Sequence, residues 1–256
     1  MVTDLLTDKT IVISGGTKSV GRELAIACAI QGANVVIGGR DSVAADQAIN
    51  KINDIKGHGI FVHTDLHKIE SCNNLFESAM NEYGRLDGFV NYAGITYKGS
   101  LTDCSEEIYD EIFDINIKAA FFCTQNAINY MKKSGSGSII LIGSPHAWSG
   151  EKDRAAYACS KGALLTLMEH IAHNYGTEHI RCNYLTMGWT VTEGEIALRK
   201  ADGMSVDELE NLVINTLPMG RLIEFIDYIP GIIYLLSDYS SMVTGANLRI
   251  TGGQYI

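Results

Sequence analysis

The 256-residue chain has few prolines, three in all, no CxxC pair among its six cysteines, and no run of basic residues. With no Pro- or Ser-rich linker, internal repeat or low-complexity stretch to divide it, one domain over 1–256 is expected. The cysteines at 28, 72, 104, 123, 159 and 182 lack both zinc-site spacing and the density of a disulfide scaffold. Reduced thiols and a cytoplasmic location are therefore expected. No apolar run approaches the ~20 residues that span a bilayer. Residues 1–10 hold two acids and a lysine where a secretory signal would be apolar. The formal net charge of −10, with no basic stripe, argues against nucleic acid as a partner. A small-molecule partner, with neither membrane nor nucleic acid, is the expectation.

What is present is an alternation. Short β-branched or apolar runs at 10–14, 34–38, 59–63, 86–91, 138–143, 179–185 and 247–250 read as strands. Helical periodicity falls between them, at 20–30, 43–55, 69–83, 109–132, 155–175 and 225–236. Such an order predicts an α/β fold, a doubly wound, mostly parallel sheet with helices on both faces. Ligands of such sheets bind at the carboxyl ends of the strands.

The first strand runs into Ser14-Gly15-Gly16-Thr17-Lys18-Ser19-Val20-Gly21 and then a helix. This is not GxGxxG. Glycines there still let a backbone approach a pyrophosphate, and the helix N-terminus favours its charge. The turn assigns Gly15, Thr17, Lys18, Ser19, Val20 and Gly21 to a nucleotide. The second strand is followed by Arg40, where an acid would hold the ribose hydroxyls of NAD. Arg40 and Lys18 together suit a 2′-phosphate, so NADP(H) is expected over NAD(H). Asp65, next to Leu66 after the third strand, is either an acceptor for an adenine amine or a turn carboxylate. Asn91, Ala93 and Gly94 end the fourth strand with small or polar groups over which a cofactor can lie.

Tyr157 and Lys161 are four apart in a helical segment and so share a face. A free phenol has a pKa near ~10, and a nearby ammonium lowers it. The tyrosine can then pass a proton to or from a carbonyl oxygen as hydride moves. Ser144, just past the fifth strand, can hold that oxygen.

These residues, in this order, resemble the short-chain dehydrogenase/reductase family over essentially the whole chain. The resemblance rests on the glycine turn, NYAG at 91–94, Asn116 in DINIKAAF, Ser144, Tyr157, Lys161 and the Thr251-Gly252-Gly253 tail. It implies a Rossmann-type sheet of about seven strands. It implies that Lys161 also binds the nicotinamide ribose, and that Asn116 kinks its helix and holds a relay water. Gly188, Thr190 and Thr192 would follow the sixth strand at the cofactor, and 188–217 would be a substrate lid. A homotetramer or dimer is the usual assembly. The chain departs from the family pattern at Ser19 (usually glycine), Tyr92 (usually asparagine) and Met187 (usually proline).

Other chemistries fare worse. The pairs His63/His67 and His170/His173 lack a third ligand, so no metal is expected. Ser144 and His146 are not set in the GxSxG elbow of a hydrolase. His146 and Trp148 either line a pocket or shape a loop. Cys159 is read as a small buried residue. The function expected is an NADP(H)-dependent carbonyl–alcohol oxidoreductase. The alternative is a nucleotide-binding scaffold without turnover, against which the retained Tyr157 and Lys161 speak.

Overall fold

In the first strand, β1 (Thr10–Ser14), Ile11 and Ile13 enter one apolar core while Val12 enters another. Successive strand residues face opposite sides, so a sheet coated by helices on both faces needs apolar side chains at every position. The same division holds in β2 (Asn34–Gly39), where Val35 and Ile37 oppose Val36. It recurs in β5 (Gly137–Gly143), where Ile140 and Ile142 oppose Ile139 and Leu141.

This computed structural model describes residues 4–148, 150–190, 192, 203 and 205–254. The other strands are β3 (His58–His63), β4 (Gly88–Asn91), β6 (Ile180–Met187) and β7 (Asn247–Ile250). All seven run parallel in the order β3-β2-β1-β4-β5-β6-β7. Helices α1 (Ser19–Ile30) and α2 (Ser42–Asp54) cover one face. Helices α3 (Ile69–Tyr83), α5 (Ala120–Ser134) and α6 (Ala155–Asn174) cover the other. Between them in sequence lies α4 (Glu106–Phe113); α7 (Val206–Thr216) and α8 (Phe225–Leu236) follow β6, and α8 joins the α1 face. The strand order reverses between β1 and β4, which opens a crevice beyond their carboxyl ends.

The expected alternation is therefore present, with shifts at its edges. The fourth helix starts at Glu106 rather than 109, because the Ser105 hydroxyl caps it by accepting the Ile108 N–H at 3.3 Å. The stretch expected as one long helix is broken by a π-helical turn at Asp114–Ala119, which contains Asn116. Sixth-strand pairing extends to Met187, whose partner is Ile250 on β7. In the expected lid, 188–217, only α7 is regular among the described residues; 191, 193–202 and 204 lie outside them.

Phe89 of β4 is fully buried and meets Phe76 of α3 edge-on, with ring centroids 5.1 Å apart. Phe89→Ala is expected to cost about 3–5 kcal/mol of stability, read as a lower urea midpoint. An unchanged midpoint would contradict this packing.

Candidate active site

Ser144 leaves the end of β5 in extended conformation (φ −149°, ψ 153°), and its hydroxyl accepts the His146 N–H at 3.3 Å. Its own N–H donates to the Tyr184 hydroxyl at 3.3 Å, and that hydroxyl donates to the Lys161 carbonyl at 3.1 Å. Tyr184 reaches this position only because Gly143 lacks a side chain; a Cβ there would run into the phenol ring. Tyr157, half-buried on the first turns of α6, lines the same cavity as Ser144. Burial raises the Tyr157 pKa, and the neighbouring Ser144 hydroxyl and the charge of Arg154 pull it back only in part.

Lys161 lies one helical turn on. Its ammonium is 5.6 Å from the centroid of the Tyr157 ring and donates to the Ile142 carbonyl at 3.0 Å. It is 5% exposed, and burial pushes its pKa down to about 8. Asn116 lies on the other side. Its amide oxygen accepts the Ile95 N–H at 2.8 Å, and its amide nitrogen donates to the Ile95 carbonyl and the Ser160 hydroxyl, both at 3.0 Å. Ser160 in turn donates to the Tyr157 carbonyl at 2.8 Å. The four residues expected to carry the chemistry are thus laced together. The bracing residues Tyr184, Ser160 and Gly143 were missed by the sequence reading. The only signal for them was a tyrosine on the α6-facing side of β6 and a glycine just before Ser144.

A cavity of about 340 Å³ opens over this group, lined among others by Thr96, Ser144, His146, Glu151, Arg154 and Tyr157. A second, of about 280 Å³, is lined by Gly15, Thr17, Lys18, Ser19, Arg40, Asp65, Leu66, Ala93 and others. The two share Tyr92, Gly94 and Ile95 as walls. Together they form an elongated cleft across the strand tips, a shape that fits a dinucleotide. Glycine is required at its floor. Gly15 has φ +77° and a Cβ would lie 2.9 Å from the Ala93 backbone, while at Gly94 it would lie 3.3 Å from both Lys161 Nζ and Asn116 Oδ1.

Several expected contacts have further partners. Lys18 pairs with Asp41 at 2.6 Å, and that pairing, followed by the Ala44 N–H that Asp41 accepts while capping α2, lowers the Asp41 pKa. Asp41 was not singled out in the sequence, although it directly follows Arg40. Arg40 is exposed beside the second cavity. Asp65 accepts the His67 N–H at 3.2 Å and faces Lys68 at 3.6 Å, so it serves as a turn carboxylate while lining the cleft. Ser19 has φ +52°, the left-handed region that glycine adopts freely. Tyr92, which departs from the family's asparagine, lines the second cavity with Ser19 and packs where a Cβ on Gly21 would meet its ring at 2.8 Å. Val20 and Asn91 are buried behind the turn, where Ser14 donates to Asn91 at 3.0 Å.

After β6, Gly188 packs against Thr251, and its N–H donates to Ile250 at 3.1 Å. Thr190 shares a 2.6 Å hydrogen bond with the Tyr228 hydroxyl. These ties hold the loop where Met187 supplies no φ lock. Gly188, Thr190 and Thr192 all line the larger cavity. So does His146, whereas Trp148 stacks on Arg249 at 4.6 Å and is absent from the wall. Cys159 corrects an expectation: it is exposed, since it turns away from the core side of α6 that Ser160 and Leu164 occupy.

The buried lysine gives a test that needs no ligand. A lysine whose folded pKa lies below its ordinary 10.5 destabilises the fold fully below about pH 8, and the penalty fades as pH rises towards 10.5. The shift corresponds to roughly 3 kcal/mol, offset by about 1 kcal/mol for the hydrogen bond to Ile142. Lys161→Met is therefore expected to raise the melting temperature at pH 7, with the gain shrinking above pH 8. A lower melting temperature at pH 7 would refute a destabilising burial.

A family model described as Enoyl-(Acyl carrier protein) reductase matches residues 15–254. L-rhamnose 1-dehydrogenase (NAD(P)(+)) of Azotobacter vinelandii is 34% identical, with 98% of each chain covered. A 3-oxoacyl-(acyl-carrier-protein) reductase of Staphylococcus aureus is 26% identical over 97% of this chain and 98% of its own. Among solved structures, a short-chain type dehydrogenase/reductase from Mycobacterium marinum superposes with a TM-score of 0.89 at 26% identity, covering 98% of this chain and 96% of that one. An actinorhodin polyketide ketoreductase crystallised with NADPH gives 0.91 at 20% identity, covering 98% of each. Sheet order, the cleft over the strand tips and near-complete coverage by these relatives agree: the chain belongs to the short-chain dehydrogenase/reductase family, whose members are nicotinamide-dependent oxidoreductases.

Proposed function

We propose that this protein interconverts a carbonyl and a secondary alcohol, with NADP(H) preferred, and that Tyr157 moves the proton. The observation that carries this is the grouping of the Ser144 hydroxyl, the Tyr157 phenol and the Lys161 ammonium at the wall of one cavity, with the ammonium 5.6 Å from the centroid of the phenol ring. Bound nicotinamide would supply or accept the hydride. Ser144 holds the substrate oxygen. Tyr157 gives that oxygen its proton in reduction and removes it in oxidation. Burial raises its pKa, so it rests protonated, ready to act as the acid. Lys161 supplies positive charge to the phenolate and donors to a ribose. Asn116 has its side-chain amide committed to Ile95 and Ser160, so a relay past it runs through its main chain, within the π-helical turn.

Support for NADP(H) comes from Arg40 and Lys18 beside the second cavity. The Lys18–Asp41 pair works against it by offering a carboxylate where a ribose hydroxyl could use one. A modest preference follows, not an exclusive one. Segment 188–217 serves as the lid. Exposed Phe225, Ile226, Tyr234, Tyr239 and Met242 support assembly of 1–256, as one domain, with further copies of itself.

The direct assay is NADPH oxidation against a carbonyl panel at neutral pH. Tyr157→Phe is expected to lower kcat by about 10²–10⁴-fold. Full activity in this variant would overturn the mechanism, and cofactor binding without turnover on any substrate would return the scaffold alternative. Arg40→Ala is expected to shrink the NADPH/NADH ratio of kcat/KM by about tenfold, one charge-assisted contact's worth. An unmoved ratio would remove Arg40 from cofactor selection.

A further inference from the structure

Three residues before Tyr157, a cation is buried in the cavity wall. Arg154 is 8% exposed. Its backbone is pinned from both sides, because Ala155 N–H donates to the Gly99 carbonyl at 3.2 Å and Gly99 N–H to the Asp153 carbonyl at 2.8 Å. Of the five N–H donors of a guanidinium, one reaches Thr96 Oγ1 at 3.1 Å. Nε faces the carboxylates of Glu151 and Asp153 at 3.7 and 3.9 Å, distances of charge pairing and not of hydrogen bonds. No Arg154 nitrogen is sealed away without a partner, and the residue lines the cavity, so its remaining donors are available to an acceptor there.

The surroundings narrow what that acceptor is. Glu151 lines the same cavity and carries the opposite charge. An anionic substrate would meet a guanidinium already shared by two carboxylates, one of them in the wall. An acyl chain or bare carbocycle would cover Arg154 and Glu151 without pairing either. A hydroxyl satisfies both, since it accepts from the guanidinium and donates to the carboxylate. His146 adds a donor. Its Nδ1 accepts the Glu151 N–H at 3.3 Å, which leaves Nε2 to carry the proton of the neutral ring. Burial, the largest influence on it, keeps His146 below its usual pKa and so neutral at pH 7. The subsite abuts the reacting group, with His146 and Tyr157 ring centroids 5.5 Å apart.

Resting on the Tyr157 chemistry above, we propose that Arg154, Glu151, His146 and Thr96 form a second polar subsite, which selects an uncharged, polyhydroxylated substrate of the sugar or polyol class. One hydroxyl-bearing carbon meets Ser144 and Tyr157. Its neighbours on the same ring or chain are held by Arg154 and Glu151.

The test is steady-state kinetics of the whole chain with NADP+ or NADPH on four panels: neutral aldoses and polyols, their carboxylate analogues, cyclohexanol and cyclohexanone, and a short 3-oxoacyl thioester. A neutral aldose or polyol is expected to exceed cyclohexanol in kcat/KM by about 100-fold or more. Arg154→Met is expected to close most of that gap, chiefly through KM. Glu151→Gln is expected to shift preference towards the carboxylate analogues. Melting temperature and cofactor affinity of each variant report folding, and Arg154→Lys, which keeps the charge but not the fork, replaces a Met variant that fails to fold. A first-rank preference for the thioester, the carboxylates or cyclohexanol would overturn the proposal. So would a sugar preference that survives in Arg154→Met, or the lack of both turnover and calorimetric binding across the neutral panel. Tyr157→Phe separates the two levels: it is expected to abolish turnover on every panel while leaving sugar binding to the cofactor complex in place. If it stays active, the proton-transfer scheme fails by itself.

Discussion

The hydroxyl of Tyr184 accepts one hydrogen bond and donates another, and the geometry of the site depends on that pair. It takes the Ser144 N–H at the end of β5 and gives its proton to the Lys161 carbonyl in α6. One buried phenol on β6 thus fixes the distance between a strand end and a helix that approach from different directions. The strand end can accept it because Gly143 leaves the space that the ring fills. The proton transfer proposed for Ser144 and Tyr157 needs alignment to within a fraction of an ångström. A brace of two backbone bonds through a rigid ring costs little conformational entropy to supply it.

The same helix carries two buried cations with different burdens. Lys161 lies where burial opposes its charge, and the only protein hydrogen bond described for it goes to a carbonyl. Arg154 is offset by Glu151, Asp153 and Thr96. Stability alone would favour neither over an apolar residue. A lysine is the better choice where its charge has to respond to what arrives. An arginine, charged at every working pH, suits a wall that has to orient a ligand. The Ser144 hydroxyl and, after it, the charge of Arg154 counter the rise in the Tyr157 pKa.

Much of this was legible in the sequence because it is local or periodic. The alternation of apolar runs gave all seven strands, and the Tyr157–Lys161 spacing put both side chains on one helix face. Ser144, Asn116 and the glycine turn also stand where strand ends and helix faces required them. The illegible part is what arises between distant segments. The Lys18–Asp41 pair joins two loops, Tyr184 joins β6 to β5 and α6, and Thr96 meets Arg154 across 58 residues of sequence. The helix break at Asn116, to which only the family resemblance pointed, was hidden from the periodicity for a related reason. The π-helical turn at Asp114–Ala119 changes the hydrogen-bond ladder without disturbing the apolar pattern that marks a helix. Cys159 was misjudged because its residue type suggests burial, whereas its position on α6 decides the matter.

The loop after β4 shows why these distant ties matter together. Within a few residues it carries Gly94, on the wall shared by both cavities, and Thr96, on the wall of the first. Between them Ile95 is held at both its N–H and its carbonyl by Asn116. Further along, Gly99 is bridged to Arg154. A ligand seated over Gly94 therefore bears on the same short, doubly anchored segment that positions Thr96 and the guanidinium. Asn116, by way of Ser160, also reaches the Tyr157 backbone. One polar side chain in a π-helical turn thus links the wall shared by both cavities, Tyr157 and Thr96. A loop held in this way is organised before any ligand binds, so binding energy is not spent on ordering it.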